Sequence, residues 1–239
     1  MVVARWGRRD HLLRTNVPYI SFTFDDFPRS AFVHGGRILA TRGVHGTYFV
    51  ALKLLDRPSP SGPIASVDDV KTLIREGHEL GCHTFDHADG RSTPPAAFER
   101  SIVANREALQ AIIPGAELPV FAYPLNGPQL AVKRSVGRHF LACRGGGQTF
   151  NTGLIDLNLL NAYFLDHRNR GRLDTVQSLI KRNSEARGWL IFATHDIASD
   201  PSPYGCAPGF FSDVVDLAIA SGARVLPMAR VCDELHDGH

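Results

Sequence analysis

A chain of 239 residues, 44% hydrophobic and 21% charged, has the composition of an ordinary soluble globular protein and the length of one large domain or two small ones. Its formal net charge of +2 is too small to argue for nucleic acid as a partner. No stretch approaches the roughly 18 apolar residues of a membrane span, and Met1 to Arg14 holds no apolar run of signal-peptide length, so a cytoplasmic location is expected.

Residues 1–17, with Arg5, Arg8, Arg9 and Arg14, read as a basic extension, and 18–239 as one domain without an internal linker. Tyr19 to Phe24 is rich in β-branched and aromatic residues and predicts a strand. The strand ends in Asp25-Asp26, and Pro28 stops its continuation. A helix capped by Ser30 is expected to run to about Arg42, burying Phe32, Val33 and Ile38-Leu39, with Gly43 as its stop. A strand over Gly46–Ala51 and a Pro/Ser/Gly-rich loop over 56–65 follow. Ser66, with Asp68 and Asp69 behind it, starts a helix whose Val67, Val70, Leu73 and Ile74 share a face.

His78 to Cys82 predicts a short strand leading into His83-Thr84-Phe85-Asp86-His87. Thr93-Pro94 opens a helix with Phe98, Ile102, Leu109 and Ile113 inward, and Val120 to Tyr123 is a strand ended by Pro124. A helix around 129–135, a strand over Phe140–Cys143 and a flexible Gly145-Gly146-Gly147 loop come next. Leu173 to Ile180 marks a helix, and Trp189 to Thr194 an apolar run suited to a parallel strand buried on both faces. It delivers His195-Asp196, and a Pro/Gly loop, a helix over 210–221, a strand at Val225-Leu226 and a helix over 228–235 complete the chain. This alternation predicts an α/β fold: a single-domain, distorted (β/α) barrel of about seven parallel strands. Cys82, Cys143, Cys206 and Cys232 lie far apart without a C-x-x-C pair, which excludes a thiolate zinc site by spacing and a dense disulfide framework.

Each polar group of interest sits just after a strand: Asp25-Asp26, His83 with His87, Tyr123 through Asn126, and His195. The C-terminal ends of barrel strands share one mouth, so these groups can converge. Two adjacent carboxylates suit divided labour, one on a metal and one as a base. His83 and His87, four apart, fall on one face of a helical turn, and with Asp26 they make a two-His, one-carboxylate ligand set. H-E-x-x-H is nearly present at His78-Glu79, but Cys82 stands where the second His belongs, which excludes that metalloprotease motif. No G-x-S-x-G occurs, which removes the common serine-hydrolase reading of His195.

Thr23-Phe24-Asp25-Asp26, followed by His83-Thr84-x-x-His87 and a late apolar strand ending in His195, resembles the NodB-like polysaccharide deacetylases (carbohydrate esterase family 4) over about residues 18 to 230. The resemblance implies metal-dependent hydrolysis of N-acetyl groups on an amino-sugar glycan or glycolipid, with zinc, or else cobalt or nickel, as cofactor. It implies Asp25 as base, Asp26, His83 and His87 as metal ligands, and His195 as acid acting with a metal-activated water. The Leu125 backbone N–H becomes an oxyanion donor, and Tyr123, Pro124 and Asn126 line the substrate. The family's third motif usually begins with Arg two residues before its proline, and here that residue is Ala122. Phe121-Ala122-Tyr123-Pro124 resembles a subgroup variant, and Arg144 is the candidate to hold the base instead. The fourth, Asp/Trp motif has no clear counterpart; 158–163 occupies roughly its place. A deformylase, an O-acetyl esterase, or a glycan-binding homologue without turnover are the alternatives. The sequence leaves the oligomeric state open.

Overall fold

The computed structural model describes residues 2–169 and 171–237. Its strands are β1 (Asp10–Leu12), β2 (Tyr19–Phe24), β3 (Thr47–Val50), β4 (Pro58–Ser59), β5 (Gly62–Pro63), β6 (Glu79–Cys82), β7 (Val120–Ala122), β8 (Ala142–Arg144), β9 (Leu154–Asp156), β10 (Tyr163–Phe164), β11 (Trp189–Thr194) and β12 (Arg224–Val225). Its α-helices are α1 (Val2–Arg5), α2 (Arg37–Ala40), α3 (Val67–Arg75), α4 (Pro95–Ile112), α5 (Leu130–Val136), α6 (Leu173–Glu185), α7 (Pro208–Ala220) and α8 (Met228–Asp237). Seven strands run parallel in the order β10-β11-β2-β3-β6-β7-β8, and β12 pairs with the start of β2. This half-barrel of seven parallel strands bears out the distorted (β/α) barrel expected from the alternating pattern.

Strand alternation divides the apolar residues into two layers. Ile20, Phe22, Phe24, Tyr48, Val50, Phe121 and Phe192 face the surrounding helices. Phe49, Val120, Ala122, Ala142, Trp189, Ile191 and Ala193 pack in a second cluster with Met228, Val231 and Cys232 of α8. By the same alternation Ser21, Thr23 and Asp25 fall on the face opposite Phe22 and Phe24, and all three are buried. The segment between β9 and α6, for which the sequence pattern marked no element, joins the two edges of the sheet. Leu160 exchanges backbone hydrogen bonds with Cys143 and Gly145 beside β8, while β10 pairs with β11.

Several local expectations change. Ser30 makes no side-chain cap, and Ala31–Gly36 forms a π-helical turn before α2. The wider turn leaves Val33 41% exposed, while Phe32 and Leu39 are buried as expected. The triglycine loop is fixed: Gly145 N–H donates to Leu160 O, Ala162 N–H to Gly146 O, and Gln148 N–H to Ala162 O. Ser66 caps α3 as expected, in a reciprocal capping box with Asp69.

The N-terminal segment packs on the barrel. β1 pairs antiparallel with β9, and the fully buried Lys133 ammonium meets Asp156 at 2.5 Å and the carbonyls of Val3 and Trp6. Arg9 donates to the carbonyls of Gly137 and Phe140. All four cysteines are buried and free. Among the described residues no helix is long and apolar enough to cross a membrane.

Candidate active site

The strand that carries the carboxylate pair ends at Phe24, and its alternation places Asp25 inward. Asp25 is 3% exposed, and its N–H donates to Thr194 O at 2.9 Å. The chain then turns through left-handed backbone at Asp26 (φ 62°) and Phe27 (φ 58°), which brings the second carboxylate to the same mouth. Such conformations cost a non-glycine residue energy, and they gather here: Thr84, His87, Leu125 and Asn126 also have φ between 55° and 65°. All six follow the C-terminal ends of β2, β6 or β7.

His83 and His87 do meet, though not on the helical turn expected. Residues 83–88 form a loop with left-handed Thr84 and His87, and the Thr84 hydroxyl accepts the Ala88 N–H at 2.8 Å. The imidazole centroids lie 5.0 Å apart. Asp26 Oδ1 is 3.5 Å from His83 Nε2 and 3.2 Å from His87 Nε2. One ligand atom from each of the three residues lies within 4.8 Å of the others.

The donor set fits a divalent cation. Asp26 Oδ1 is buried and has no hydrogen-bond donor among the described residues, a costly state for a carboxylate oxygen unless a cation meets it. His83 Nδ1 lies 2.8 Å from the Ala122 carbonyl, which can only accept. Nδ1 therefore carries the proton, and Nε2 turns its lone pair toward Asp26, as a metal-binding imidazole requires. Burial pushes the His83 pKa down to about 4, which favours the neutral ligand form. Two imidazoles and a carboxylate suit zinc and its neighbours.

Arg144, at the end of β8, has no exposed surface and forms an ion pair with Asp25 through Nη2. Its guanidinium lies 4.9 Å from the Phe49 ring centroid and 5.6 Å from that of Phe164. Burial works to raise the Asp25 pKa, but Arg144 and, after it, His83 hold the carboxyl below its ordinary value. Burial likewise lowers the Arg144 pKa, against the pull of Asp25.

His195 stands on the other side of Asp26, its Nε2 3.8 Å from Oδ2. Its Nδ1 is buried without a partner among the described residues, and Tyr204 lies beside the ring at 5.4 Å between centroids. Asp196 is turned away from this chemistry. Its carboxylate accepts the Ser202 N–H at 2.8 Å and its carbonyl the Cys206 N–H at 3.0 Å, which fixes the loop bearing Tyr204.

Leu125 is 52% exposed and Asn126 is exposed at the rim, whereas Pro124 is buried. Tyr123 does not meet its expected role. Only 1% of it is exposed, and its hydroxyl donates to Asn158 O at 3.1 Å, so its side chain belongs to the core. Alternation explains this, because Tyr123 shares the face of Phe121, which packs against it at 5.0 Å. Sequence reading missed Phe49, Phe164 and Tyr204. As apolar or loop residues without a motif they carry no local signal, and only the folded chain brings them to Arg144 and His195. Asp166, just after β10, is likewise buried at the sheet end and paired with Arg168.

Fold and site together define a parallel half-barrel with acidic and imidazole groups collected at the C-terminal strand ends. Residues 13–137, more than half of the chain, match the polysaccharide deacetylase family, and the chain belongs to it. A gellan lyase from a Bacillus species is 35% identical over 75 residues, which is 31% of this chain and only 3% of that protein. Among solved structures, the chitin deacetylase of the fungal pathogen Colletotrichum lindemuthianum is 16% identical, with 93% of this chain and 90% of that one covered and a TM-score of 0.63. A family 4 acetyl xylan esterase from Clostridium thermocellum, in complex with a cobalt ion, is 17% identical over 89% of each chain, with a TM-score of 0.58. A family 4 pseudoenzyme from Bacillus anthracis is 12% identical, covering 92% of this chain and 67% of that one, with a TM-score of 0.64. At these identities the likeness is one of fold.

Proposed function

We propose that this protein is a metal-dependent hydrolase that removes N-acetyl groups from an amino-sugar-containing oligosaccharide or polysaccharide. The observation that carries the reading is the buried Asp25, ion-paired with Arg144 and adjacent in sequence to the Asp26, His83 and His87 cluster. A pure binding module needs no buried, ionised carboxylate in its mouth.

Asp26, His83 and His87 would hold the cation, with zinc first among divalent ions and cobalt or nickel as substitutes. When bound, the metal supplies Lewis acidity that makes water a competent nucleophile near neutral pH. Asp25, kept ionised by Arg144, takes the proton of the attacking water. The N–H of Leu125, an exposed residue on a left-handed turn, donates to the developing oxyanion, a contact typically worth about 3–4 kcal/mol. His195 protonates the departing nitrogen, which an amide requires because an amine leaves poorly without a proton. Asn126 lines the substrate at the rim. The Phe121-Ala122-Tyr123-Pro124 motif then belongs to a family variant in which Arg144 takes the place of the third-motif arginine.

The test is acetate release by zinc-loaded protein from a panel of N-acetylated and O-acetylated oligosaccharides, with formate release followed on formylated analogues. N-acetyl hydrolysis is expected, with Asp25→Asn cutting it by about 100-fold or more while metal content stays the same. Asp26→Ala should lose the metal. Release from O-acetyl or formyl substrates alone would replace the reading with an esterase or a deformylase.

A further inference from the structure

Beside the Asp25 mouth lies a groove of about 560 Å³, within the roughly 300–1,000 Å³ of small-ligand sites. Its near end is formed by Asn126, next to Leu125, and by Gly146, two residues beyond Arg144. Phe164 lines it as well, so one ring touches both the groove and the guanidinium that holds Asp25. The far end is built by Arg8 of the N-terminal segment and by Leu154 of β9. Most of the lining falls outside residues 13–137.

The chemistry of the walls selects a class of ligand. Both arginines that face the groove are already neutralised: Arg8 lies 2.5 Å from Asp10, and Arg168 donates to both Asp166 oxygens. A carboxylate or phosphate would find no uncommitted cation there. The uncommitted groups are neutral amides. The side chains of Asn126 and Asn161 make no hydrogen bond among the described residues, and Gln148 uses only Oε1, on the Phe164 N–H at 2.7 Å. An apolar ligand would strip water from these amides without replacing their hydrogen bonds. Carbohydrate hydroxyls, donors and acceptors at once, would replace them, and the half-buried Phe150 ring offers a surface for sugar C–H groups. Glycine keeps the floor open: Gly147 has φ 135°, and a Cβ there would collide with the Asn161 amide.

We propose that this groove binds uncharged sugar units of the same glycan, beyond the unit whose acetyl group reaches Asp25. The inference deepens the deacetylase reading and rests on it for the identity of the glycan.

Calorimetric titration of N-acetylglucosamine oligomers of one to five units into the protein tests it, beside a uronate-containing oligosaccharide of matched length. Wild-type affinity should rise about tenfold or more between one and four units, the gain of one or two net hydrogen bonds. Asn161→Ala should flatten that rise. Gly146→Leu should flatten it too; Gly146 is outside the left-handed region and a Cβ there meets Asn126 at an ordinary 3.4 Å, so the side chain fills the groove without breaking the turn. An unchanged length dependence in both variants, preference for the uronate oligomer, or no length dependence in wild type would each overturn the proposal. Binding is read without turnover, so the two readings fail separately. Groove-dependent binding without acetate release removes the deacetylase reading alone, and acetate release without groove dependence removes only the groove.

Discussion

A fully buried guanidinium is costly unless it is paired, and removing one partner of such a pair typically costs about 3–5 kcal/mol. Arg144 illustrates both halves of that rule, with no exposed surface and its charge spent on Asp25. Asp25 has a folded pKa below the ordinary carboxylate value, so the pair stabilises the protein fully above the unfolded pKa of about 4. That contribution is lost as pH falls through the folded value. Arg144→Met should lower the urea midpoint at pH 7 and move the acid limb of kcat/KM to higher pH, because Asp25 would then be buried without its cation. An unmoved acid limb would make Arg144 a packing residue only. His78 provides a second pH handle. It is 5% exposed, its Nδ1 accepts the Gly46 N–H at 3.0 Å, and burial, with His45 beside it, pushes its pKa down to about 4. Between pH 6.5 and 4 the unfolded chain takes a proton that the folded chain refuses, which removes on the order of 3 kcal/mol as pH falls. In His78→Asn the urea midpoint should fall less steeply over that window than in wild type.

At the scale of elements, β3 and β6 are fitted to one another beneath the site. Gly81 of β6 lies against the Phe49 ring of β3, and a Cβ there would overlap it. Phe49 in turn supports Arg144 at 4.9 Å and sits 6.3 Å from the His83 ring. Gly81→Ala should therefore do two things. Overpacking should cost about 1–3 kcal/mol in a denaturant titration. Displacement of Phe49 should also lower kcat more than the stability loss explains, as measured well below the unfolding temperature. Loss of stability with unchanged kcat would show that the ring can shift without disturbing the ion pair.

On the scale of the whole molecule, the chain's beginning helps to hold its middle. Lys133 donates to Val3 O and Trp6 O, Asn158 donates to Gly7 O, and Arg9 reaches the carbonyls between α5 and β8. Removing residues 2–9 would expose the Lys133–Asp156 pair and strand those groups. A loss of about 2 kcal/mol corresponds to a fall in Tm on the order of 5 °C for a domain of this size. Scanning calorimetry of the shortened chain checks this, and an unchanged Tm would make the segment a dispensable extension.

Local sequence alone determined the elements with strong period or punctuation: β2, β11 and the capping box of α3; it marked six of the seven strands in the main parallel order, all but β10. These depend on neighbours within a few residues. It also marked Asp25, Asp26, His83, His87 and His195, because each follows a strand and the barrel gathers strand ends. Tertiary structure alone decided the rest. The closing segment from Leu157 to Phe164 has too short a strand to show a period, and it is defined by pairing with β8 and β11. The convergence of His83 and His87 comes from left-handed turns rather than helical spacing. The burial of Tyr123 follows from which face of β7 meets the helices. Arg144 was the candidate to hold Asp25 from the sequence, but the pairing joins residues 119 apart and is decided only when the barrel brings β8 and β2 to one mouth.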